Sequence, residues 1–139
     1  MGLATLKMET FKTAKAALEQ IKIISNRNIR NEICGFLGYN SSENLFIVQE
    51  AENEADDPSQ YFLINPLDYL LFKEDHTLLA IFHSHVVGDE EPSEFDVTMA
   101  KNCCHPFLIF SLNTQKINIY EPQNADSDVN ILEGIKALI

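Results

Sequence analysis

Basic residues are scarce: the chain carries 10 Lys+Arg against 21 Asp+Glu, a formal net charge of -11. No basic stripe exists to displace counterions from a phosphate backbone, so nucleic acid is not an expected partner. Cysteine is nearly as sparse, with Cys34, Cys103 and Cys104 forming an odd set and no C-x-x-C pair. That excludes a disulfide framework and a cysteine-based structural zinc site, and reduced thiols point to a cytoplasmic setting. No apolar run approaches the roughly 20 residues that span a bilayer, so membrane association is not expected. The opening segment MGLATLKMETFKTAK lacks an apolar core and a cleavage site, which excludes a signal peptide. Gly2 follows Met1, but Leu6 and Lys7 stand where a myristoylation signal wants Ser or Thr. Repeats, low-complexity runs and linkers are also missing. With 139 residues, 45% of them hydrophobic, the chain suits one domain over residues 1–139 with its own core.

What is present is an ordered set of amphipathic segments. Phe11, Ala14, Leu18, Ile21 and Ile24 recur at helical steps, with Thr10 as the expected cap and Asn26–Asn28 as the stop. "EICGFLGY" and "LFIVQEAEN" predict two strands joined at Asn40-Ser41-Ser42, a hairpin. "YFLI" (Tyr61 to Ile64) predicts a further strand, and Pro66 starts a helix through about Lys73. "LLAIFHSH" is the clearest strand. Strict alternation puts Leu79, Ile81, His83 and His85 on one face, and Ala80, Phe82, Ser84 and Val86 on the other. Ser93 opens a helix to about Cys104, and "FLIFSL" with "KINIYEP" forms a second hairpin. Val129, Leu132, Ile135 and Ile139 mark a closing helix, which also offers a surface for self-association into a homo-oligomer. Interleaved strands and helices give an α/β fold, a mixed β-sheet flanked by helices.

The stretch "HSHVVGDEEPSEFD", His83 to Asp96, carries the chemistry. Strand residues two apart lie about 6.6–6.8 Å apart on one side, so His83 and His85 can converge on one ion. Asp96, in the first turn of the next helix, is a candidate third ligand. Two histidines and a carboxylate with an open fourth position make the ligand count of a catalytic zinc site. Each piece also has a plainer reading. A histidine at a strand end is usually only hydrogen-bonded, and Ser93-Glu94-Phe95-Asp96 reads as a capping box. Taken alone, the capping reading is the stronger. Other His-x-His folds fit poorly: an amidohydrolase barrel needs about 250 residues, and a cupin jelly roll has no place for these helices. The H-x-E and P-C-x-x-C elements of zinc deaminases are absent.

The conjunction resembles the H-S-H-x(10)-D signature of the JAMM (MPN+) metalloproteases. "NEICGFLGY" supplies the upstream glutamate of that pattern as Glu32, in the E-x-C-G-x-L-G form of bacterial and phage members. The resemblance spans roughly residues 5 to 120 and implies a cytidine-deaminase-like JAB/MPN architecture. It further implies that His83, His85 and Asp96 hold Zn2+, that Glu32 is the general base and acid, and that Ser93 stabilises the oxyanion. The expected activity is hydrolysis of a peptide or isopeptide bond. The chain has no room for the insertions with which deubiquitinating members hold ubiquitin. The resemblance therefore points to a ubiquitin-like or sulfur-carrier tail, or a phage tail-assembly protein, as substrate. A non-proteolytic assembly or scaffold module on the same fold is the alternative. One departure stands out: Val86 replaces the proline that usually follows the second histidine.

By this reading Ser84 packs behind the ligands, and His76 and His105 are surface or loop residues. Cys34 is a core residue beside Glu32, and Cys103 and Cys104 close a helix. Asp89, Glu90 and Glu91 form a solvated acidic loop.

Overall fold

The computed structural model describes residues 8–126 and 128–139. Gly2, the first seven residues of the segment read for a signal peptide, and the side chain of Val129 lie outside the described residues. The elements are β1 (Met8–Phe11), α1 (Ala14–Asn26), β2 (Cys34–Asn40), β3 (Leu45–Ala51), α2 (Pro66–Asp75), β4 (Thr77–His85), α3 (Glu94–Cys103), β5 (Phe107–Ser111), β6 (Ile117–Tyr120) and α4 (Val129–Lys136). One mixed sheet runs in the order β1-β3-β2-β4-β5-β6. The β4–β5 pair is parallel, with α3 as the crossover, and the other neighbours are antiparallel.

Both sheet faces are covered, as the apolar strands demand. On one side, Ala17, Leu18 and Ile21 of α1 and Ile135 of α4 pack with Leu37, Val48, Phe82 and Leu108. On the other, Phe72 of α2 and Ala100 of α3 pack with Phe36, Ile47, Ile81, Phe107 and Ile109. Of the self-association surface expected on the closing helix, Leu132 and Ile135 are buried inside the fold and Ile139 is about half exposed.

Three local expectations are corrected. Thr10 and Phe11 lie in an edge strand against β3, and the cap of α1 is Thr13, whose Oγ1 accepts the Ala16 amide at 3.1 Å. Phe11 sits at the right helical spacing, but its contact with the α1 core comes from the strand. Tyr61 to Ile64 form no strand, because the segment's backbone bonds to the loop at residues 53–57 instead of a sheet edge.

The third correction concerns β4. Leu37 pairs with Ala80 but Gly38 with Leu78, so Leu79 is an extra residue in the ladder. This bulge breaks the alternation and moves Leu79 to the α1 side with Ala80 and Phe82. Beyond it the alternation holds, and Ile81, His83 and His85 share the α3 side.

β2 lies between β3 and β4 and is made thin where its neighbours are bulky. A methyl group on Gly35 would come within 2.5 Å of the Phe82 ring and closer still to the Gln49 carbonyl. Gly35→Ala is expected to destabilise the protein by about 1–3 kcal/mol through overpacking. Gly134→Ala, in helix α4 with open space around it, is expected to stabilise by up to about 1 kcal/mol. Urea unfolding of the two variants beside the wild type measures both, and equal midpoints would refute the packing argument.

Candidate metal centre

His83 and His85 end β4, a strand buried from Leu78 onward, and Asp96 sits in the first turn of α3, which lies across that strand end. The capping box forms: Ser93 Oγ accepts the Asp96 amide at 3.0 Å, and Asp96 Oδ2 accepts the Ser93 amide at 3.0 Å. The same carboxylate also faces both imidazoles. Its Oδ1 is 3.0 Å from His83 Nε2, and its Oδ2 is 2.9 Å from His85 Nε2. All three side chains are buried. Their ligand atoms lie within 4.8 Å of one another, and no other such group of three occurs among the described residues.

Proton placement decides what this cluster suits. His85 Nδ1 is 2.7 Å from the Asp89 carbonyl, which can only accept, so Nδ1 carries the proton. That leaves the Nε2 lone pair aimed at a carboxylate oxygen, two acceptors face to face unless a cation or a second proton lies between them. His83 Nε2 is equally close to Asp96 but off the line of a hydrogen bond, and neither of its ring nitrogens has a bonding partner among the described residues. Burial pushes His83 below the usual histidine range, so it is neutral. Burial alone would raise the Asp96 carboxyl, yet contact with His83 and His85 and the Ser93 amide holds it well below the usual carboxylate range. Burial likewise opposes charge on His85, but the Asp96 carboxylate and the Asp89 carbonyl outweigh it and raise its pKa. Two imidazoles and an ionised carboxylate, with a buried lone pair left unpartnered, form a donor set suited to zinc at about 2.0–2.1 Å. The contacts of 2.9 and 3.0 Å lie near the edge length of about 3.3 Å that tetrahedral coordination at those distances implies.

Aromatic packing holds His83 in place. The Phe62 ring stacks on it at 4.3 Å with 22° between the planes, and Phe107 meets it edge-on at 5.5 Å. Phe62 therefore matters more to the site than a strand residue would, and the apolar run "YFLI" was the only trace of it in the sequence.

Glu32 lies two residues before β2, rather than in the strand itself. Its backbone is clamped on each side: its amide donates to the Pro58 carbonyl at 2.7 Å, and its carbonyl accepts from Asn53 Nδ2 at 2.9 Å. The next residue, Ile33, donates its amide to Ser84 Oγ at 2.9 Å, while the Ser84 amide donates to the Ile33 carbonyl at 3.0 Å. Ser84 is thus a clamp on the glutamate segment, not only packing. Asn53 was missed by sequence reading. It also bonds the Tyr61 carbonyl and the Leu63 amide, tying the Phe62 segment to Glu32. The available signal was an asparagine at a strand end, a common turn-former.

The Glu32 side chain, with His85 and Ser93, lines a cleft of about 240 Å³ that Ser59, Gln60, Val87, Gly88, Asp89 and Glu91 complete. Desolvation raises the Glu32 pKa to about 8; the His85 charge lowers it and the Asp96 charge raises it. The loop after Val86 borders this cleft without a proline at position 86. The Gly88 carbonyl accepts from Ser111 Oγ at 2.7 Å and from Asn113 Nδ2 at 3.2 Å, and Asn118 Nδ2 donates to the Glu90 carbonyl at 3.2 Å.

Comparison with known proteins gives the family and the fold. The family model for prokaryotic homologs of the JAB domain matches residues 14–123, a span containing all five candidate site residues. The chain belongs to the prokaryotic JAB-domain family. The solution structure of protein DSY2949 from Desulfitobacterium hafniense is similar in fold, with a TM-score of 0.58 and 23% identity over 82% of this chain and 91% of that one. No curated protein matches the sequence. The mixed sheet of the JAB domain is therefore the fold that the H-S-H resemblance implied.

The other candidates are not part of the cluster, although Cys34 pairs across the ladder with His83. His105 is buried rather than on the surface, with Nε2 3.4 Å from Lys73 Nζ and its ring edge-on to Tyr69. His76 lies against Phe72. Cys34 is a core residue as expected, and burial pushes its thiol far above the usual range. Cys103 ends α3 and packs partly into the core. Among the described residues, no helix is long and apolar enough to cross a membrane.

Glu32 provides a direct test of the site's electrostatics. Its carboxyl titrates at 4.5 in the unfolded reference and at about 8 when folded. Stability from the protonated form is fully present below 4.5 and lost as pH rises towards 8. Metal-free Glu32→Gln is therefore expected to gain in Tm on the metal-free wild type across that window. Parallel Tm curves between pH 4.5 and 8 would show that Glu32 is not desolvated.

Proposed function

We propose that this JAB-domain protein is a zinc-dependent peptidase or isopeptidase. The observation that carries the reading is the convergence of two imidazoles and an ionised carboxylate, with both His83 ring nitrogens unpartnered among the described residues, beside a buried glutamate that lines a cleft with His85. His83, His85 and Asp96 would hold the ion, with Asp89 fixing the tautomer of His85 and Phe62 fixing the plane of His83. Zinc bound there supplies a Lewis acid and a lowered pKa for water at its open position. A nearby cation favours the ionised form of Glu32, opposing the desolvation that otherwise protonates it near neutrality. Glu32 then accepts the proton of the attacking water and returns it to the leaving amine. Ser93 Oγ already accepts the Asp96 amide, so its hydroxyl proton remains free to donate to the developing oxyanion.

The substrate is a protein or peptide. A cleft of about 240 Å³ suits an extended tail rather than a folded surface. A ubiquitin-like or sulfur-carrier C-terminus fits that description, as does a flexible segment processed in phage tail assembly.

Metal analysis is expected to find one zinc per chain, lost when His83→Ala and Asp96→Ala are combined. Against a panel of peptide and ubiquitin-like fusions, Glu32→Gln should keep the metal and lower cleavage by about 10²–10⁴. Ser93→Ala should lower kcat by about 10²–10³ with little change in KM. A wild-type protein that binds no zinc would overturn the reading. One that binds zinc but cleaves nothing in the panel would favour the assembly-module alternative.

A further inference from the structure

On the α3 side of the sheet, separate from the cleft, a cavity of about 310 Å³ opens between α2 and α3. Its floor is Phe36, Ile81 and Phe107, and its walls include Phe62, Tyr69 and Met99. A space of that size with an almost wholly apolar lining is typical of a binding site. Helix α2 lines it with Pro66 and Tyr69 and turns an exposed apolar face outward. Leu67, Leu70 and Leu71 occupy one face of α2 at helical spacing, and Leu63 stands at the rim, all 45–59% exposed. Exposed apolar side chains concentrated in this way mark an interaction surface.

We propose that this cavity and the outer face of α2 form a docking site for a basic, amphipathic segment of another protein, anchored by one aromatic or branched aliphatic side chain. Two observations select that occupant. The leucine face extends past the cavity, so a lone small molecule would leave it uncovered, whereas a peptide covers both. The chain's net charge of -11 disfavours a second copy and attracts a cationic partner; α2 itself carries Asp68, Glu74 and Asp75 against Lys73. Anchor in a pocket with flanking contacts is how few residues carry most binding energy. Phe62 is shared by the cavity wall and the His83 stack, so an occupied cavity abuts the metal centre through a single ring. The docking site itself does not depend on the zinc reading.

The test is selection of a random dodecapeptide display library on the immobilised full chain, with Met99→Trp, which fills the cavity, as counter-bait. Enriched peptides are expected to carry an aromatic or aliphatic anchor flanked by Lys or Arg. They should shift the Met99 and Ile81 methyl resonances and bind about tenfold or more weakly to a Leu67→Lys/Leu71→Lys variant. That double variant alters only exposed positions and serves even if Met99→Trp does not fold. Enrichment that ignores charge, or none above the counter-bait, overturns the proposal. Indole binding as tightly as the best peptide would make the cavity a small-molecule site and overturn it. So would a dimer in sedimentation that the double variant dissolves.

Discussion

One carboxylate ties the centre of this molecule together. Asp96 ends two architectures at once: its Oδ2 completes the capping box of α3, and its two oxygens face the two imidazoles at the end of β4. A buried carboxylate is costly unless it is matched by donors or cations. Here the Ser93 amide offers one donor, and the balance must come from the histidines or from an ion between them. The docking of α3 on β4 and the chemistry of the site are therefore the same constraint. A helix displaced by one residue would lose its cap and the contact of Asp96 with both histidines together.

Much of this was legible because the relevant periods are short. His83 and His85 share a face by strand alternation, and Ser93 and Asp96 share a turn by capping geometry; neither depends on the rest of the fold. Glu32 is 51 residues away from His83 in sequence, and only resemblance to a family pattern joined it to them. What sequence reading lost was set by tertiary pairing. Thr10 and Phe11 fit a helix by period but are claimed by the edge of β3. Tyr61 to Ile64 have strand composition, but Asn53 takes the Tyr61 carbonyl and the Leu63 amide that a ladder would need. Leu79 changed faces because a bulge resets the phase of alternation, and bulges leave no trace in apolar pattern. The outer leucines of α2 were invisible for a different reason: exposure cannot be read from a helix that is apolar on more than one face.

The supports of the glutamate show how non-local that half of the site is. Pro58, Asn53 and Ser84 come from one loop and a strand, and each contributes hydrogen bonds to the main chain around Glu32. None touches its carboxyl, which leaves that group free to exchange protons while its position is fixed. The motif serine between the two histidines belongs to this support, so H-S-H holds both halves of the centre from a single strand.

The loop that follows Val86 obtains its shape from hydrogen bonds to the β5–β6 hairpin, at Ser111, Asn113 and Asn118. A proline ring would have imposed stiffness covalently, at every temperature alike. Stiffness borrowed from polar contacts at the surface instead weakens as those contacts open on heating. The outer wall of the cleft is thus a thermally soft part resting on a rigid frame. Its give is governed in part by how firmly a hairpin far away in sequence holds it.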